Sequence, residues 1–279
     1  MFIYFVFILL ILAPIYLIMI MPKIIHRPDT NGFMGRYYAH RGLHQGTDIP
    51  ENSLSAFKLA INNDYGIELD VQLSKDKIPV VFHDNNLKRV CGIDKKVKDL
   101  TFDKLRTLTL YDSNEKIPHF QEVLDIVDGQ VPLIIEIKAS GTFEEDKTTC
   151  NIVSAYLDRY KGIYCVESFN PIIVQWYKKN RPNVIRGQLA TKNIYKKTTI
   201  KNRFLNFTLR NLLYNYMTKP DFIAYNHEFS HFISYNLCRT LYKPLTVAYT
   251  IQSQDDLNKS HDKFDILIFE NFIPNNKAA

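Results

Sequence analysis

Glu68 and Asp70 sit two residues apart in the run Gly66-Ile67-Glu68-Leu69-Asp70-Val71-Gln72-Leu73, and Glu136 and Lys138 do the same in Pro132-Leu133-Ile134-Ile135-Glu136-Ile137-Lys138. Read as strands, both runs alternate. Glu68 and Asp70 then share one face, as do Glu136 and Lys138, while Ile67, Leu69 and Val71 take the other. A carboxylate buried in such a run costs several kcal/mol, of order 3 or more, unless a cation compensates it. Internal salt bridges such as Glu136–Lys138 are one solution. The other starts from three acids against one Lys: the surplus negative charge suits a hard divalent cation on oxygen ligands. The spacing favours the metal reading, with all four side chains facing one cavity.

Two histidines end separate apolar runs, His40 in Tyr37-Tyr38-Ala39-His40-Arg41-Gly42 and His83 in Pro79-Val80-Val81-Phe82-His83-Asp84. Beside the acids they offer a general base and a general acid, and Arg41 and Lys138 offer positive charge to a phosphate. No Gly-rich phosphate loop is present, so nucleotide binding is not indicated, and no nucleic-acid partner is expected. A competing pattern is His227-Glu228-Phe229-Ser230-His231, a literal HExxH. It would need a helix presenting both His on one face and a third zinc ligand downstream. It follows a strand candidate directly, and no acid occurs between His231 and Asp255. Loop residues near the cavity are the plainer reading.

Something must hold these residues together. Apolar runs at 37–41, 67–73, 132–138, 163–168, 184–189, 222–225, 245–250 and 265–270 alternate with helix-period stretches such as 53–61 and 171–180. That rhythm is βαβ, with a parallel sheet buried on both faces. Eight strands in about 250 residues predict a (β/α)₈ TIM-type barrel, whose chemistry gathers at the C-terminal ends of its strands. Two intervals exceed one helix. Residues 85–118, after the extra strand 79–83, form a small insertion behind the second strand. Residues 191–220 carry seven Lys/Arg and no acid, more than the net charge of +6 on the whole chain. Phe204, Leu205, Leu209, Leu212 and Leu213 scatter around a continuous helical wheel, so a solvated basic helix is expected there.

Residues 1–22 carry no charge and are long enough to cross a bilayer as a helix. They lack the basic start and small-residue cleavage site of a signal peptide. A transmembrane anchor is expected at 1–22, a linker at 23–35 and a barrel at 36–274. Lys23 and Arg27 just after the anchor place the barrel on the cytoplasmic side of a single-pass membrane protein. The four cysteines are spaced for neither a zinc ribbon nor a disulfide framework and read as buried apolar residues.

The motifs His40-Arg41-Gly42, Pro50-Glu51-Asn52-Ser53, Glu68-Leu69-Asp70, Val80-Val81-Phe82-His83-Asp84 and Glu136-Ile137-Lys138 resemble, in order and spacing, the glycerophosphodiester phosphodiesterase family. The resemblance continues through Glu167-Ser168-Phe169-Asn170-Pro171 and Ala248-Tyr249-Thr250-Ile251. It implies Mg²⁺ or Ca²⁺ on Glu68, Asp70 and Glu136, with His40 and His83 as the acid–base pair. It places Arg41 and Lys138 on the phosphoryl oxygens, with Glu51 and Asn52 in support. The substrate it implies is a glycerophosphodiester, cleaved to glycerol 3-phosphate and an alcohol. A membrane lysophospholipid cleaved in the manner of a lysophospholipase D is the alternative, ahead of a non-catalytic headgroup-binding module or a zinc hydrolase. Tyr249 stands where the family usually has Trp, near the glycerol end of the substrate. Glu270-Asn271 stands where the family commonly ends Thr-Asp.

Overall fold

Eight parallel strands close into a barrel in this computed structural model, which describes residues 2–194 and 199–275. They are β1 (Tyr38–Ala39), β2 (Gly66–Leu73), β4 (Leu133–Ile137), β5 (Tyr164–Ser168), β6 (Arg186–Ala190), β7 (Phe222–Asn226), β8 (Leu245–Ile251) and β9 (Ile266–Phe269). β1 pairs with both β2 and β9 and so closes the ring. A ninth strand, β3 (Pro79–Val81), runs antiparallel along β2. The helices are α1 (Phe2–Ile20), α2 (Leu54–Asn62), α3 (Lys88–Cys91), α4 (Phe102–Thr107), α5 (Phe120–Val127) and α6 (Phe143–Leu157). After them come α7 (Pro171–Asn180), α8 (Ile200–Arg210), α9 (Asn215–Thr218), α10 (Ile233–Tyr242) and α11 (Gln254–His261).

Strand parity divides the core in two. Ile67, Leu69, Val71, Leu133, Ile135 and Ile137 point outward and pack on the helices, with Phe57 and Phe120 among their neighbours. The inward set, including Ile134, Cys165, Leu189, Phe222 and Val247, fills the barrel floor. Gly187 leaves room for the Phe222 ring there, since a Cβ would lie 2.1 Å from it. The registers Asp70↔Glu136↔Glu167 set three acids side by side, one layer above Ile134 and Cys165. Residues 85–118 carry their own apolar centre, with Val90, Val97, Leu105 and Leu110 packed together with Val80 of β3. Cys150, Cys165 and Cys238 are buried, and all four cysteines are free thiols.

The expected transmembrane helix is not supported: among the described residues no helix is long and apolar enough to cross a membrane. The last turn of α1 is committed to the barrel. Tyr16 donates its hydroxyl to Ser234 Oγ at 2.7 Å, Tyr242 donates to the Leu17 carbonyl, and Asn215 donates to the carbonyl of the buried Ile20. Residues 23–35 lie along the barrel floor rather than running free. Lys23 pairs with buried Asp221 at 3.0 Å, Arg27 donates to the Lys243 carbonyl, and Phe33 plugs the floor while its carbonyl accepts from Tyr38. In the basic segment, Lys196 and Lys197 lie outside the described residues.

Candidate active site

The carboxylates of Glu68, Asp70 and Glu136 converge at the C-terminal ends of β2 and β4, each offering an oxygen within 4.8 Å of the others. All three are buried. Two cations answer them. Lys138 Nζ lies 2.8 Å from Asp70 Oδ1 and 3.0 Å from Glu136 Oε1, and Arg41 Nε lies 3.6 Å from Asp70 Oδ2. Asn52 donates to Asp70 Oδ2 at 2.8 Å, and the Arg41 backbone N–H donates to Glu68 Oε2. Both Arg41 and Asn52 hold positive φ, and Gly42 follows at +78°. A Cβ at Gly42 would press on Ala56 and Phe57 at 2.9 Å, so only glycine lets the turn close against α2. The turn is a strained arrangement that aims an amide at a carboxylate.

The electrostatics leave the acids short of positive charge. Burial, with Asp70, Glu167 and Glu136 nearby, pushes the Glu68 carboxyl well above its ordinary range. Burial raises Glu136 too, against the pull of Lys138, and lifts Glu167 well up. At Asp70 burial is outweighed by Lys138, His83 and Arg41, which hold its carboxyl well down. A compact set of hard oxygen donors that would otherwise have to take up protons fits a divalent cation such as Mg²⁺ or Ca²⁺.

Each candidate histidine is tied to a carboxylate through Nδ1: His40 to Glu270 Oε2 at 2.5 Å and His83 to Asp84 Oδ1 at 2.6 Å. With the proton on Nδ1, His40 presents Nε2 as the free base, while on His83 Nε2 is the nitrogen left to carry a proton outward. His40 Nε2 lies 3.8 Å from Glu68 Oε2. Burial and the Arg41 charge lower the His40 pKa, with Glu270 acting in the opposite sense. Glu270 is itself held by Gln252, and Asp84 by Arg89. Glu51 joins both halves, accepting from Arg41 at 2.8 Å and from two Arg89 nitrogens at 2.7 Å.

A cavity of about 1390 Å³ opens from these groups. His83, Glu136 and Lys138 line it, and Phe143, Phe169, Leu205, Leu209 and Met217 give it an apolar wall. The Tyr249 hydroxyl donates to the Ala190 carbonyl at 2.7 Å and its ring packs edge-on against Phe169. The HExxH reading is overturned. Residues 227–229 form a single 3₁₀ turn, so His227 and His231 do not share a helical face, and His231 is exposed. Among the described residues the only group placed to hold a metal is Glu68, Asp70 and Glu136. Sequence reasoning missed Glu270, Glu167, Asp84 and Arg89 as site residues. Glu270 was visible only as a departure from the family's ending, and Arg89 reaches the site from the insertion.

This geometry can be set beside known proteins. A glycerophosphodiester phosphodiesterase of Caldanaerobacter subterraneus is 32% identical over 54% of this chain and 65% of its own. One from Bacillus altitudinis is 36% identical over 39% and 46%. A lysophospholipase D of Rattus norvegicus is 26% identical over 78% and 75%. The matches thus span 65% and 46% of the lengths of the two bacterial relatives. Among solved structures, an Oleispira antarctica phosphodiesterase in complex with the product sn-glycerol-3-phosphate superposes with a TM-score of 0.68 at 21% identity, covering 85% of this chain and 93% of that one. Identity at that level shows the fold. The Glycerophosphoryl diester phosphodiesterase family model matches residues 40–261, from His40 through the last helix of the barrel, and to that family this chain belongs.

Proposed function

We propose that the chain hydrolyses glycerophosphodiesters to glycerol 3-phosphate and an alcohol. The observation that carries this reading is the pair of carboxylate-held histidines, His40–Glu270 and His83–Asp84, beside one buried acid cluster. The names of the relatives and the product bound in the Oleispira antarctica structure support it.

Glu68, Asp70 and Glu136 would hold Mg²⁺ or Ca²⁺, which when bound supplies Lewis acidity to a phosphoryl oxygen. Lys138 and Arg41 carry positive charge to the remaining phosphoryl oxygens. His40, kept neutral by burial and by Arg41, takes the nucleophile's proton at Nε2 while Glu270 steadies the imidazolium that forms. His83, which lines the cavity, gives the proton on its Nε2 to the departing alcohol.

The apolar cavity wall favours a second reading, hydrolysis of a lysophospholipid whose chain follows Phe143, Leu205 and Leu209 outward. Attachment to a membrane through α1, with the barrel on the cytoplasmic side, goes with that reading. The test is a comparison of kcat/KM on glycerophosphocholine and on lysophosphatidylcholine, with Mg²⁺ and with Ca²⁺. Either His40→Ala or His83→Ala should lower kcat by about 10²-fold or more on the preferred substrate. A folded protein that turns over neither compound with either ion overturns the proposal.

A further inference from the structure

α8 has two faces. Leu205 and Leu209 line the cavity and Thr208 is buried. On the other side Ile200, Phe204 and Phe207 fall at i, i+4 and i+7, within about 60° of helical arc. They are 88%, 63% and 49% exposed. The stripe escaped the helical-wheel argument because that wheel ran on through Leu212 and Leu213. The helix stops at Arg210, and Leu212 turns to φ +58° and buries itself. Exposed Lys201 and Arg203 border the stripe on either side, and Arg210 stacks over Phe207 at 5.5 Å.

α1 leaves the barrel at the same rim. Tyr16 meets Ser234 at the mouth end of α10, and Arg27 meets Lys243 at its floor end, so α1 descends alongside α10. Residues 2–15 therefore project past the mouth, with Leu10, Ile11 and Ile15 exposed. Ser234 also donates to Asn211 Oδ1 at 2.5 Å, which ties the foot of this projection to the end of α8.

We propose that this rim, the outer face of α8 together with the projecting end of α1, seats on the surface of an anionic bilayer, so that the catalytic mouth opens toward lipid. Ile200, Phe204 and Phe207 enter the boundary between acyl chains and headgroups, and Lys201 and Arg203 reach the lipid phosphates. The charge selects this occupant. Residues 191–220 carry seven cations and no acid, and the rest of the chain sums to −1. A second copy meeting stripe to stripe would set Lys201, Arg203 and Arg210 of each α8 against one another, whereas anionic headgroups neutralise them. The projecting part of α1 enters such a surface with its exposed Leu10, Ile11 and Ile15.

The test reads depth rather than turnover, so it stands or falls apart from the catalytic proposal. Trp176→Phe removes the chain's one tryptophan. In that background, and in the full chain, Phe204→Trp reports from the stripe and Leu241→Trp from the exposed floor end of α10. Each is mixed with phosphatidylglycerol–phosphatidylcholine vesicles carrying brominated acyl chains. The tryptophan at 204 should shift to the blue and be quenched roughly twofold or more, less in high salt, while that at 241 is unchanged. Ile200→Trp repeats the measurement should Phe204→Trp lower the melting temperature. Vesicle-bound protein with an unquenched stripe would mean attachment by α1 alone and would overturn the proposal. A lipid-free dimer that Phe204→Asp dissociates would overturn it as well, by giving the stripe to a second copy.

Discussion

Glu270 Oε2 lies 2.5 Å from His40 Nδ1, and Gln252 donates to the other oxygen of the same carboxylate. The last barrel strand thus fixes the ring that ends the first. Glu270→Ala should lower kcat by roughly 10- to 100-fold, because the ring loses both its orientation and its partner for the imidazolium. The pH profile separates this role from a structural one. Glu270 raises the His40 pKa, so without it the pKa falls and the acid limb of kcat/KM moves to lower pH. An unmoved limb would deny Glu270 that function. By comparison His227→Ala and His231→Ala should stay within about twofold of the parent.

The barrel was legible because each strand is a short apolar run whose parity is fixed by burial on both faces, and β2 and β4 carry the acid cluster in that parity. What stayed hidden depends on closure. Nothing local in Phe269-Glu270-Asn271 says that β9 lies beside β1 and hands a carboxylate to His40. Arg89 was equally invisible, since the insertion must fold back before it can bridge Glu51 and Asp84. The N-terminal run read as a membrane span because hydropathy cannot show that Tyr16, Leu17 and Ile20 already have partners on the barrel.

Metal binding should displace protons. Burial, with neighbouring carboxylates, holds Glu68 and Glu136 above their ordinary value of 4.5, and a cation must compete with the protons they hold. Calorimetric Ca²⁺ or Mg²⁺ affinity is expected to tighten as pH rises above 4.5, with proton release on binding. Glu136→Gln should weaken binding, and excess EDTA should abolish turnover until either ion is restored. Full turnover after rigorous chelation would remove the metal from the mechanism.

Acid stability should register the Glu51 clamp. Burial raises the Glu51 carboxyl, but Arg89 and Arg41 outweigh it and bring it down to about 2. A folded-state pKa below the unfolded one stabilises fully above about 4.5, and the contribution is lost as pH falls toward 2. The linkage is of order 3 kcal/mol at its upper limit. Glu51→Gln should therefore lower the melting temperature at pH 7, and the gap to the parent should close on acidification through that window. A gap independent of pH would mean that packing, not charge, is what the substitution removes.

Shortening the chain at its start should reveal two boundaries. Deleting residues 1–15 removes only the part of α1 that projects past the mouth, and the melting temperature should hold. Deleting residues 1–34 also takes away Ile20, the Lys23–Asp221 pair and the Phe33 plug. Asp221 keeps Arg186 at 3.3 Å, so its charge is not abandoned. The floor, however, opens beneath Tyr38, and losing a buried Phe alone costs about 3 kcal/mol or more. For a domain of this size each kcal/mol moves the melting temperature by about 2–4 °C, so a drop of about 10 °C or more is expected. No proposed catalytic residue precedes His40, so whatever fraction of the shorter chain remains folded should keep its kcat on soluble glycerophosphodiesters. Equal melting temperatures for the two deletions would reduce residues 16–34 to a tether.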